Sequence, residues 1–358
     1  MSARKVLFLY TELAPYVKAC LERLVRDHGV EVHVVRWPVN KEAPFMLGFA
    51  PGIHVHERSA FNEVSLRRFA NQLAPDIVFA SGWVDKDYLK VCRDARRRGV
   101  PTVLCSDTAW RGGWRQWAAL GASRFWMRRT FSHAWVTGEA QALYAEYLGF
   151  PRSKIKRGFY SADTDRFAPL ADRFKPVKKA RFPHRFLCVA RYIPAKGHRY
   201  MVEAFAELCD AGQAGDWELW CIGVGELYPL DHQHTRIKHL GFVQAEDMWQ
   251  YMEQSGVFIL PSTYEPWGVV VHEHAAAGMP MVLSDAVGAR HHFLKDGHNG
   301  ACFVAGDKAA LKAAFRRIIA LSDDELRAMG LRSEELARTW DAGRWADTVI
   351  ELMNDRRG

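Results

Sequence analysis

Short apolar runs rich in β-branched residues alternate with amphipathic helical stretches along most of this chain. Such alternation is typical of α/β units built on a parallel sheet. The expected strands are residues 5–10, 30–36, 76–81, 101–106, 133–138, 185–191, 217–223, 237–242, 257–262 and 281–286. The expected helices include residues 15–28, 62–73, 85–98, 197–211, 245–255 and 268–278. The pattern therefore predicts an α/β fold.

One stretch interrupts the alternation and divides the chain. Residues 150–185 are rich in Pro, Lys and Arg and carry little periodicity, which predicts a connection between two domains. The 358 residues also suffice for two domains of roughly 150 residues each. We expect a first domain at 1–165, a second at 166–340 and an amphipathic helix in 341–358. Two such domains are expected to face each other across a cleft lined by the carboxyl ends of their strands, where open α/β sheets bind ligands.

Composition narrows the class of protein. Hydrophobic residues make up 49% and charged residues 25%, which excludes disordered, collagen-like and coiled-coil chains. No run approaches about 18 apolar residues, and Glu12 interrupts the first apolar stretch, so neither a membrane span nor a secretory signal is predicted. The seven cysteines are scattered without a CxxC pair, which favours a reducing compartment. We therefore expect a cytoplasmic protein.

Histidine pairs raise the question of a metal site. They are His54/His56, His232/His234, His272/His274 and His291/His292. None has Cys, Asp or Glu partners at ligand spacing, and such pairs are more often packed or solvated than metal-bound. The sequence therefore predicts no metal site.

The positive charge is concentrated in the first half of the chain. Residues 1–165 contain 25 Lys and Arg against 16 Asp and Glu, a balance of +9, whereas the remainder has 24 against 25, a balance of −1. Residues 107–131 alone contain four tryptophans and five arginines with one acid. This mixture suits an anionic membrane interface or a groove for a phosphate-bearing acceptor. The alternative is that the tryptophans pack inward and the arginines are a solvated face; nucleic acid is not expected, because no recognised binding module appears.

The most informative segment is PSTYEPWGVVVHEHAAAGMP at 261–280. A strand is expected to end at Ser262, Glu265 to follow in a turn, and a helix to begin near Gly268. A helix N-terminus with a small residue suits a phosphate or a polar sugar edge. Glu265 is then placed to accept hydrogen bonds from sugar hydroxyls and Glu273 from a ribose diol. Two glutamates alone are more often solvated carboxylates on a helix. The whole pattern of strand, Ser, Glu-Pro-aromatic-Gly, Glu, small residues and Gly-x-Pro is more specific.

This segment, with EPWGVVVHE at 265–273, resembles the donor domain of the retaining nucleotide-sugar glycosyltransferases of family 4, which have the two-domain GT-B fold. VARYIPAKGHRYMVEAF at 189–205 is similar to the family segment in which an arginine and a lysine touch the donor diphosphate, and Arg191 and Lys196 are the matching positions. Independently of the family, a guanidinium fork and an ammonium five residues later can neutralise a leaving diphosphate. The alternative is that both are ordinary surface cations.

The resemblance extends from Pro75 to the end of the chain. CIGVGEL resembles a Gly-x-Gly turn, the residues after Leu240 resemble the segment that lines the nucleobase, and Asp163 matches an aspartate of the family's linker. The implied donor-binding residues are Glu273, Gly268, Trp267, Val269, Gly223, Gly225, Phe242 and Val243, with Gly241 beside the last two. TWDAGRWADTVIELM, the last helix, looks like the family segment that crosses back to the first domain.

Two departures from the family pattern concern the first domain. Many relatives have a histidine after the fourth strand, where PTVLCSDTAW has Asp107. Asp107 is expected either to accept from a sugar hydroxyl or orient the acceptor, as a catalytic residue with Arg191, Lys196 and Glu265, or to be a helix N-cap. The usual glycine pair of the first loop is replaced by TELAP at 11–15.

The resemblance implies a retaining hexosyltransferase that moves a sugar from a nucleotide diphosphate donor, UDP favoured, to a hydroxyl of a glycan or a polyprenyl- or other lipid-linked acceptor. Cell-surface polysaccharide or glycoconjugate synthesis, at the inner face of the cytoplasmic membrane, is the expected setting. Two Asp-x-Asp triplets, at 85–87 and 163–165, follow no donor-domain strand, and the cations suffice, so no metal and no cofactor are expected. The alternatives are a nucleotide-sugar epimerase or hydrolase, and a non-catalytic nucleotide-sugar-binding partner subunit.

Overall fold

A computed structural model describes residues 3–11, 13–38, 48–228, 230 and 234–355. Glu12 of the first loop and His232 lie outside this described part. The chain forms two compact units, one made of 1–161 with 342–358 and the other of 162–341. None of the helices among the described residues has the length and apolar character of a membrane span.

The first unit is built on a seven-stranded sheet in which all described pairings are parallel. Its strands are β1 (Lys5–Tyr10), β2 (Glu31–Arg36), β3 (Ile53–Glu57), β4 (Ile77–Ser81), β5 (Thr102–Ser106), β6 (His133–Val136) and β7 (Ile155–Arg157). Its helices are α1 (Pro15–His28), α2 (Glu63–Leu73), α3 (Lys86–Arg97), α4 (Trp114–Thr130), α5 (Glu139–Tyr147) and α13 (Ala342–Asn354). Because helices cover both faces, the central strands are apolar runs that bury successive side chains, as in β1.

The last helix completes the core of the first unit. α13 packs against α1, and Trp345 lies 3% exposed beside the rings of Phe8 and Trp135. The Trp345 indole N–H donates to the carbonyl of Phe159 at 2.8 Å. The amphipathic pattern of the chain's end is therefore satisfied by burial in this unit.

The second unit repeats the same architecture with a six-stranded sheet whose described pairings are all parallel. Its strands are β8 (Arg185–Val189), β9 (Glu218–Ile222), β10 (Ile237–His239), β11 (Val257–Leu260), β12 (Met281–Ser284) and β13 (Gly300–Phe303). Its helices are α6 (Thr164–Ala180), α7 (His198–Asp210), α8 (Met248–Glu253), α9 (Val269–Ala276), α10 (Arg290–Phe293), α11 (Lys308–Ile319) and α12 (Asp323–Ala337).

Strand order locates the expected ligand edge in each sheet. The orders are β3-β2-β1-β4-β5-β6-β7 and β10-β9-β8-β11-β12-β13. In both, the order reverses after the unit's first strand, between β1 and β4 and between β8 and β11. At such a switch point the loops leaving the two strands turn to opposite faces, which opens a crevice at the carboxyl edge. The α/β prediction with two Rossmann-like folds is confirmed.

The segment expected to be irregular is instead partly regular. Residues 150–185 contain β7 and the 17-residue helix α6, which carries two internal prolines. Proline inside a helix removes a hydrogen bond and lowers the apparent helical signal. The buried positions Phe167, Ala171 and Phe174 nevertheless follow helical spacing. The prediction of an aperiodic connection was wrong, because two prolines lie among residues that still keep helical spacing.

Candidate functional site

Two loops meet at the switch point of the second unit. The loop after β8 and the loop after β11 are joined by backbone hydrogen bonds from Thr263 and Tyr264 to the carbonyl of Ala195, at 2.8 and 3.2 Å. Gly197 ends the first loop with φ of 72°, and a β-carbon there would lie 2.3 Å from the carbonyl oxygen of Pro261. Glycine is therefore required for this close approach.

Lys196 and Glu265 form an ion pair across these loops. The Lys196 ammonium donates to Glu265 Oε2, and the two side chains are 14% and 12% exposed. The sequence placed both residues at the site but assigned them to separate parts of a ligand. Because the pair is largely withdrawn from water, its mutual attraction exceeds that of a surface pair. Each group therefore fixes the position of the other.

Arg191 follows β8 and is exposed. Its loop is held against the loop after β9 by hydrogen bonds from Ala190 to Ile222 and from Tyr192 to Val224, at 3.0 and 2.9 Å. The Gly-x-Gly turn makes that contact possible. A β-carbon at Gly223 would lie 2.0 Å from the carbonyl oxygen of Ala190, and one at Gly225 would lie 2.6 Å from that of Tyr192. The two glycines therefore support the backbone around Arg191.

The helix N-terminus falls where the sequence placed it. Gly268 is the N-cap of α9, with φ of 91° and no side-chain cap. A β-carbon on Gly268 would lie 3.0 Å from Glu265 Cγ, so glycine leaves room for that side chain. The first N–H groups of a helix, here beginning at Val269, lack partners within the helix and carry partial positive charge.

The turn before α9 is held by backbone hydrogen bonds from the loop that follows β12. Gly288 and Ala289 donate backbone hydrogen bonds to the carbonyls of Glu265 and Trp267, at 3.0 and 2.9 Å. Trp267 is only 5% exposed, and its indole N–H has no hydrogen-bond partner among the described residues. The indole ring lies 6.4 Å from that of Phe293, between centroids, and its unpaired N–H is a donor that the sequence could not identify.

Glu273 lies one to two turns further along α9 and is partly buried. Burial raises the pKa of Glu273 to about 7; the positive charge of Arg166 opposes this rise and the negative charge of Asp163 adds to it. The flanking histidines hold the helix in place. His272 Nδ1 accepts from the backbone of Ala162 at 3.0 Å, and the ring of His274 stacks on Phe258 with centroids 4.0 Å apart. Both are packed histidines.

The residues expected to line a nucleobase follow β10. Phe242 and Val243 are partly buried. Gly241 accepts a hydrogen bond from the backbone of Gly223 at 2.7 Å, which joins this loop to the Gly-x-Gly turn. The expected donor residues of the second unit therefore follow four neighbouring strands, in the order β10, β9, β8 and β11.

The first unit has a cavity of ≈ 500 Å³ at its own switch point. Asp107 and Tyr160 line it, with Thr11 and Ser81 at the ends of β1 and β4. The Thr11 backbone N–H donates to Ser81 Oγ at 2.8 Å. Asp107 is not a helix N-cap, because α4 begins seven residues later behind Gly113. That alternative was wrong, and Asp107 instead presents a carboxylate at a polar cavity.

One Asp-x-Asp triplet has a structural role. Asp85 caps α3 by accepting from the backbones of Asp87 and Tyr88, at 2.9 and 3.2 Å. Arg58 contacts both carboxylates of the triplet, at 2.8 and 2.7 Å. Capping and ion pairing explain these two acids.

The arginine- and tryptophan-rich segment forms an exposed aromatic surface on α4. Trp114, Trp117 and Phe125 are 75%, 63% and 64% exposed. Arg124 and Arg128 are exposed beside them. We call these five residues the α4 surface. Trp110 and Trp126 pack against the core instead, so inward packing accounts for only part of the segment.

Comparisons with known proteins agree with this architecture. One family model, described as a glycosyl transferase 4-like domain, matches residues 10–157, and a second, described as glycosyl transferases group 1, matches residues 183–321. The GDP-mannose-dependent alpha-(1-6)-phosphatidylinositol monomannoside mannosyltransferase of Mycolicibacterium smegmatis is 26% identical over 74% of this chain and 72% of its own length. The lipopolysaccharide core biosynthesis glycosyltransferase LpsE of Rhizobium meliloti is 29% identical over 47% of this chain and 48% of its own length.

Solved structures match over nearly the whole chain. Anabaena HepE, crystallised with UDP and glucose, has a TM-score of 0.70 at 16% identity, covering 98% of this chain and 99% of its own. Sucrose-phosphate synthase from Thermosynechococcus elongatus has a TM-score of 0.73 at 15% identity, covering 98% of both chains. These similarities concern the fold. Because the two family models together span most of the chain, this protein belongs to the family 4 glycosyltransferases with the GT-B fold.

Proposed function

We propose that this chain transfers a sugar from a nucleotide diphosphate donor to a hydroxyl of a glycan or lipid-linked acceptor, with retention of the anomeric configuration. The observation that carries the proposal is the meeting of Lys196, Glu265 and the N-terminus of α9 at one switch point. A switch point is where an open α/β sheet binds its ligand, and these three groups match the parts of a sugar diphosphate.

The chemistry requires stabilisation of the leaving diphosphate. The transition state of glycosyl transfer resembles an oxocarbenium ion, so negative charge collects on the departing phosphate oxygens. Arg191, Lys196 and the first amides of α9 supply positive charge for that anion. We assign Glu265 to the sugar hydroxyls and Glu273 to the ribose diol, with Phe242 and Val243 beside the base.

Retention is proposed through attack on the same face from which the diphosphate leaves. The bond from the anomeric carbon to the leaving oxygen breaks as the bond to the acceptor oxygen forms, and the leaving phosphate takes the acceptor's proton. Both glutamates of the motif are assigned to binding, so no protein nucleophile is invoked. Asp107, at the cavity of the first unit, is proposed to orient the acceptor hydroxyl by accepting its hydrogen bond.

Two of the similar proteins point to different nucleotides for the donor. The name of the Mycolicibacterium relative specifies GDP-mannose, whereas the Anabaena structure holds UDP and glucose. We favour UDP as the donor nucleotide, as the resemblance to the family implies. Donors of both kinds therefore belong in the test.

The proposed transfer is tested by incubating the purified protein with UDP-, GDP- and ADP-sugars, with and without acceptor and with and without EDTA. We expect slow release of nucleotide diphosphate, and we expect acceptor to accelerate it. EDTA should leave the rate unchanged, and the product should retain the anomeric configuration of the donor. An isomerised donor would identify an epimerase. Nucleotide release at the same rate with and without acceptor would identify a hydrolase, and donor binding without turnover would identify a partner subunit. Loss of activity in EDTA would contradict the metal-independent mechanism.

We also propose that the α4 surface contacts an anionic membrane that holds a lipid-linked acceptor. Exposed indoles next to arginines suit the headgroup region of such a membrane. The Trp114→Ala/Trp117→Ala double variant is expected to bind vesicles containing phosphatidylglycerol at least about tenfold more weakly than the unchanged chain, because two large apolar side chains are lost. Cosedimentation measures this.

The matched control for the α4 surface removes two exposed apolar residues elsewhere. Val177 and Leu331 are 46% and 49% exposed, and the Val177→Ala/Leu331→Ala variant is expected to bind vesicles like the unchanged chain. Equal vesicle binding by both double variants would refute the membrane role of α4. Thermal unfolding of each variant checks that the ring contact between Trp110 and Trp117 is not needed for folding.

A further inference from the structure

A cluster of three histidines and one glutamate lies on β2 and β3, at the edge of the first unit's sheet. The parallel register pairs His33 with His54 and Val35 with His56. Because alternate residues of a strand project from the same face, Glu31 and His33 stand beside His54 and His56. The backbone ladder therefore sets the spacing of these four side chains before any ligand is present.

The distances within the cluster suit one metal ion. His33 Nε2 lies 2.8 Å from Glu31 Oε1, and His54 Nε2 lies 3.7 Å from the same oxygen. One ligand atom from each of these three residues lies within 4.8 Å of the other two. A tetrahedral zinc ion with bonds of about 2.0–2.1 Å needs ligand atoms about 3.3 Å apart. The observed separations bracket that value, so side-chain rotations of modest size suffice.

His56 hydrogen-bonds to His33 from the side opposite Glu31. Its Nε2 lies 3.3 Å from His33 Nδ1, the ring nitrogen that faces away from Glu31. A metal-bound histidine usually engages its other ring nitrogen in a hydrogen bond that fixes its orientation. His33 is only 8% exposed, whereas the side chain of His54 is 50% exposed. An ion can therefore enter from solvent and keep water in an open coordination position.

We propose that Glu31, His33 and His54 form a binding site for a divalent transition-metal ion, with Zn²⁺ as the ion that this donor set favours. Two imidazoles and one carboxylate suit zinc, nickel or copper, whereas magnesium and calcium prefer oxygen ligands alone. Within the described residues, no other group of three or more His, Cys, Asp or Glu side chains has ligand atoms within 4.8 Å of one another. This site is separate from the residues assigned to sugar transfer.

The residue order does not reveal this site, because its acidic ligand is remote from the histidine pair. His54-x-His56 has no acid at ligand spacing, and Glu31 lies on the preceding strand, 23 residues before His54. Strand pairing brings the two together. The expectation that this pair is merely packed or solvated is the one that the zinc experiment tests.

The test is zinc titration of the untagged chain by calorimetry, with Mg²⁺ as the comparison ion. One Zn²⁺ per chain and no Mg²⁺ binding are expected. Replacing a ligand, in Glu31→Gln or His54→Ala, is expected to weaken zinc binding by more than about 100-fold, because losing only an outer partner costs 10–100-fold. His298→Ala, at an exposed histidine of the other unit, is expected to bind zinc normally.

A spectroscopic readout separates loss of the site from loss of the fold. Co²⁺ bound at this site is expected to give the intense visible absorption of a tetrahedral complex, which Glu31→Gln and His54→Ala abolish while circular dichroism stays unchanged. His56→Ala is expected to weaken binding by about 10–100-fold. Zinc binding that is equal in all variants, or that His298→Ala reduces as strongly as His54→Ala, would overturn the proposal.

Discussion

Replacing Lys196 by alanine is expected to lower the turnover number with a nucleotide sugar by about 10²–10³-fold, the usual effect of removing one group that stabilises developing negative charge. Lys196 lies at the switch point of the second unit, and its side chain is only 14% exposed. A cation in so dry a position acts on a leaving diphosphate with little screening by water. Arg191 is exposed, so water screens its charge more strongly than that of Lys196.

The Lys196 variant also tests the ion pair with Glu265. Removing the ammonium leaves a carboxylate that is 12% exposed without its cation. Breaking a buried pair in this way costs about 3–5 kcal/mol of folding free energy. The Lys196→Ala/Glu265→Gln double variant removes the stranded charge as well. We expect it to recover stability in chemical denaturation while turnover stays low.

This comparison distinguishes catalysis from folding. Because Glu265 is itself assigned to the sugar, turnover of the double variant is compared with that of Glu265→Gln alone. Equal turnover in these two variants would make Lys196 a structural residue only. Lys308→Ala is the matched control, because Lys308 also pairs with a glutamate, Glu207, but at 41% exposure. Its turnover is expected to equal that of the unchanged chain. A normal rate in Lys196→Ala would refute the proposed donor site.

The second large effect is expected in donor binding as a function of pH. Burial raises the pKa of Glu273 to about 7, against the opposing charge of Arg166. A ribose diol donates hydrogen bonds, so it prefers the ionised carboxylate. Below pH 7 most chains carry a protonated Glu273, which must release its proton before the donor binds. Linkage therefore predicts a donor dissociation constant about tenfold higher at pH 6 than at pH 8. The intact nucleotide sugar is the ligand to use, because free UDP and GDP carry a terminal phosphate that titrates in this range.

Glu273→Gln is expected to remove this pH dependence and to weaken donor binding at pH 8 by about 10²-fold, the cost of losing one or two hydrogen bonds to a charged group. Calorimetry at four pH values measures both effects. Glu203→Gln, at an exposed glutamate of α7, is expected to keep the wild-type profile. An unchanged slope in Glu273→Gln would contradict the assignment of this residue to the ribose.

The same carboxyl group predicts how stability changes with pH in the free protein. Its pKa is raised in the folded state, so the folded chain holds the proton more tightly than the unfolded chain between about pH 4.5 and 7. The resulting stabilisation is complete below pH 4.5 and disappears as the pH rises through 7. Glu273→Gln lacks this decline, which gives a readout of the raised pKa that is independent of any ligand.

The sequence predicted most of the fold because the relevant signals are local. β1 and α1 were expected at their observed bounds, and the turn from Glu265 to the start of α9 was placed correctly, since periodicity and glycine position act over a few residues. Three edge strands, β3, β7 and β13, were missed, because each is only three to five residues long and such a short run carries little apolar periodicity.

The sequence by itself determined that the chain is α/β, that two sheets are formed and that its distinctive motifs follow strands, because each of these follows from the pattern of neighbouring residues. Only the tertiary structure decided that Lys196 pairs with Glu265, that Glu273 is partly buried, and that Glu31 stands beside His54. Pairing and desolvation depend on distances between groups that are far apart in the chain. Those distances are set by the packing of strands and helices and are not visible in residue order.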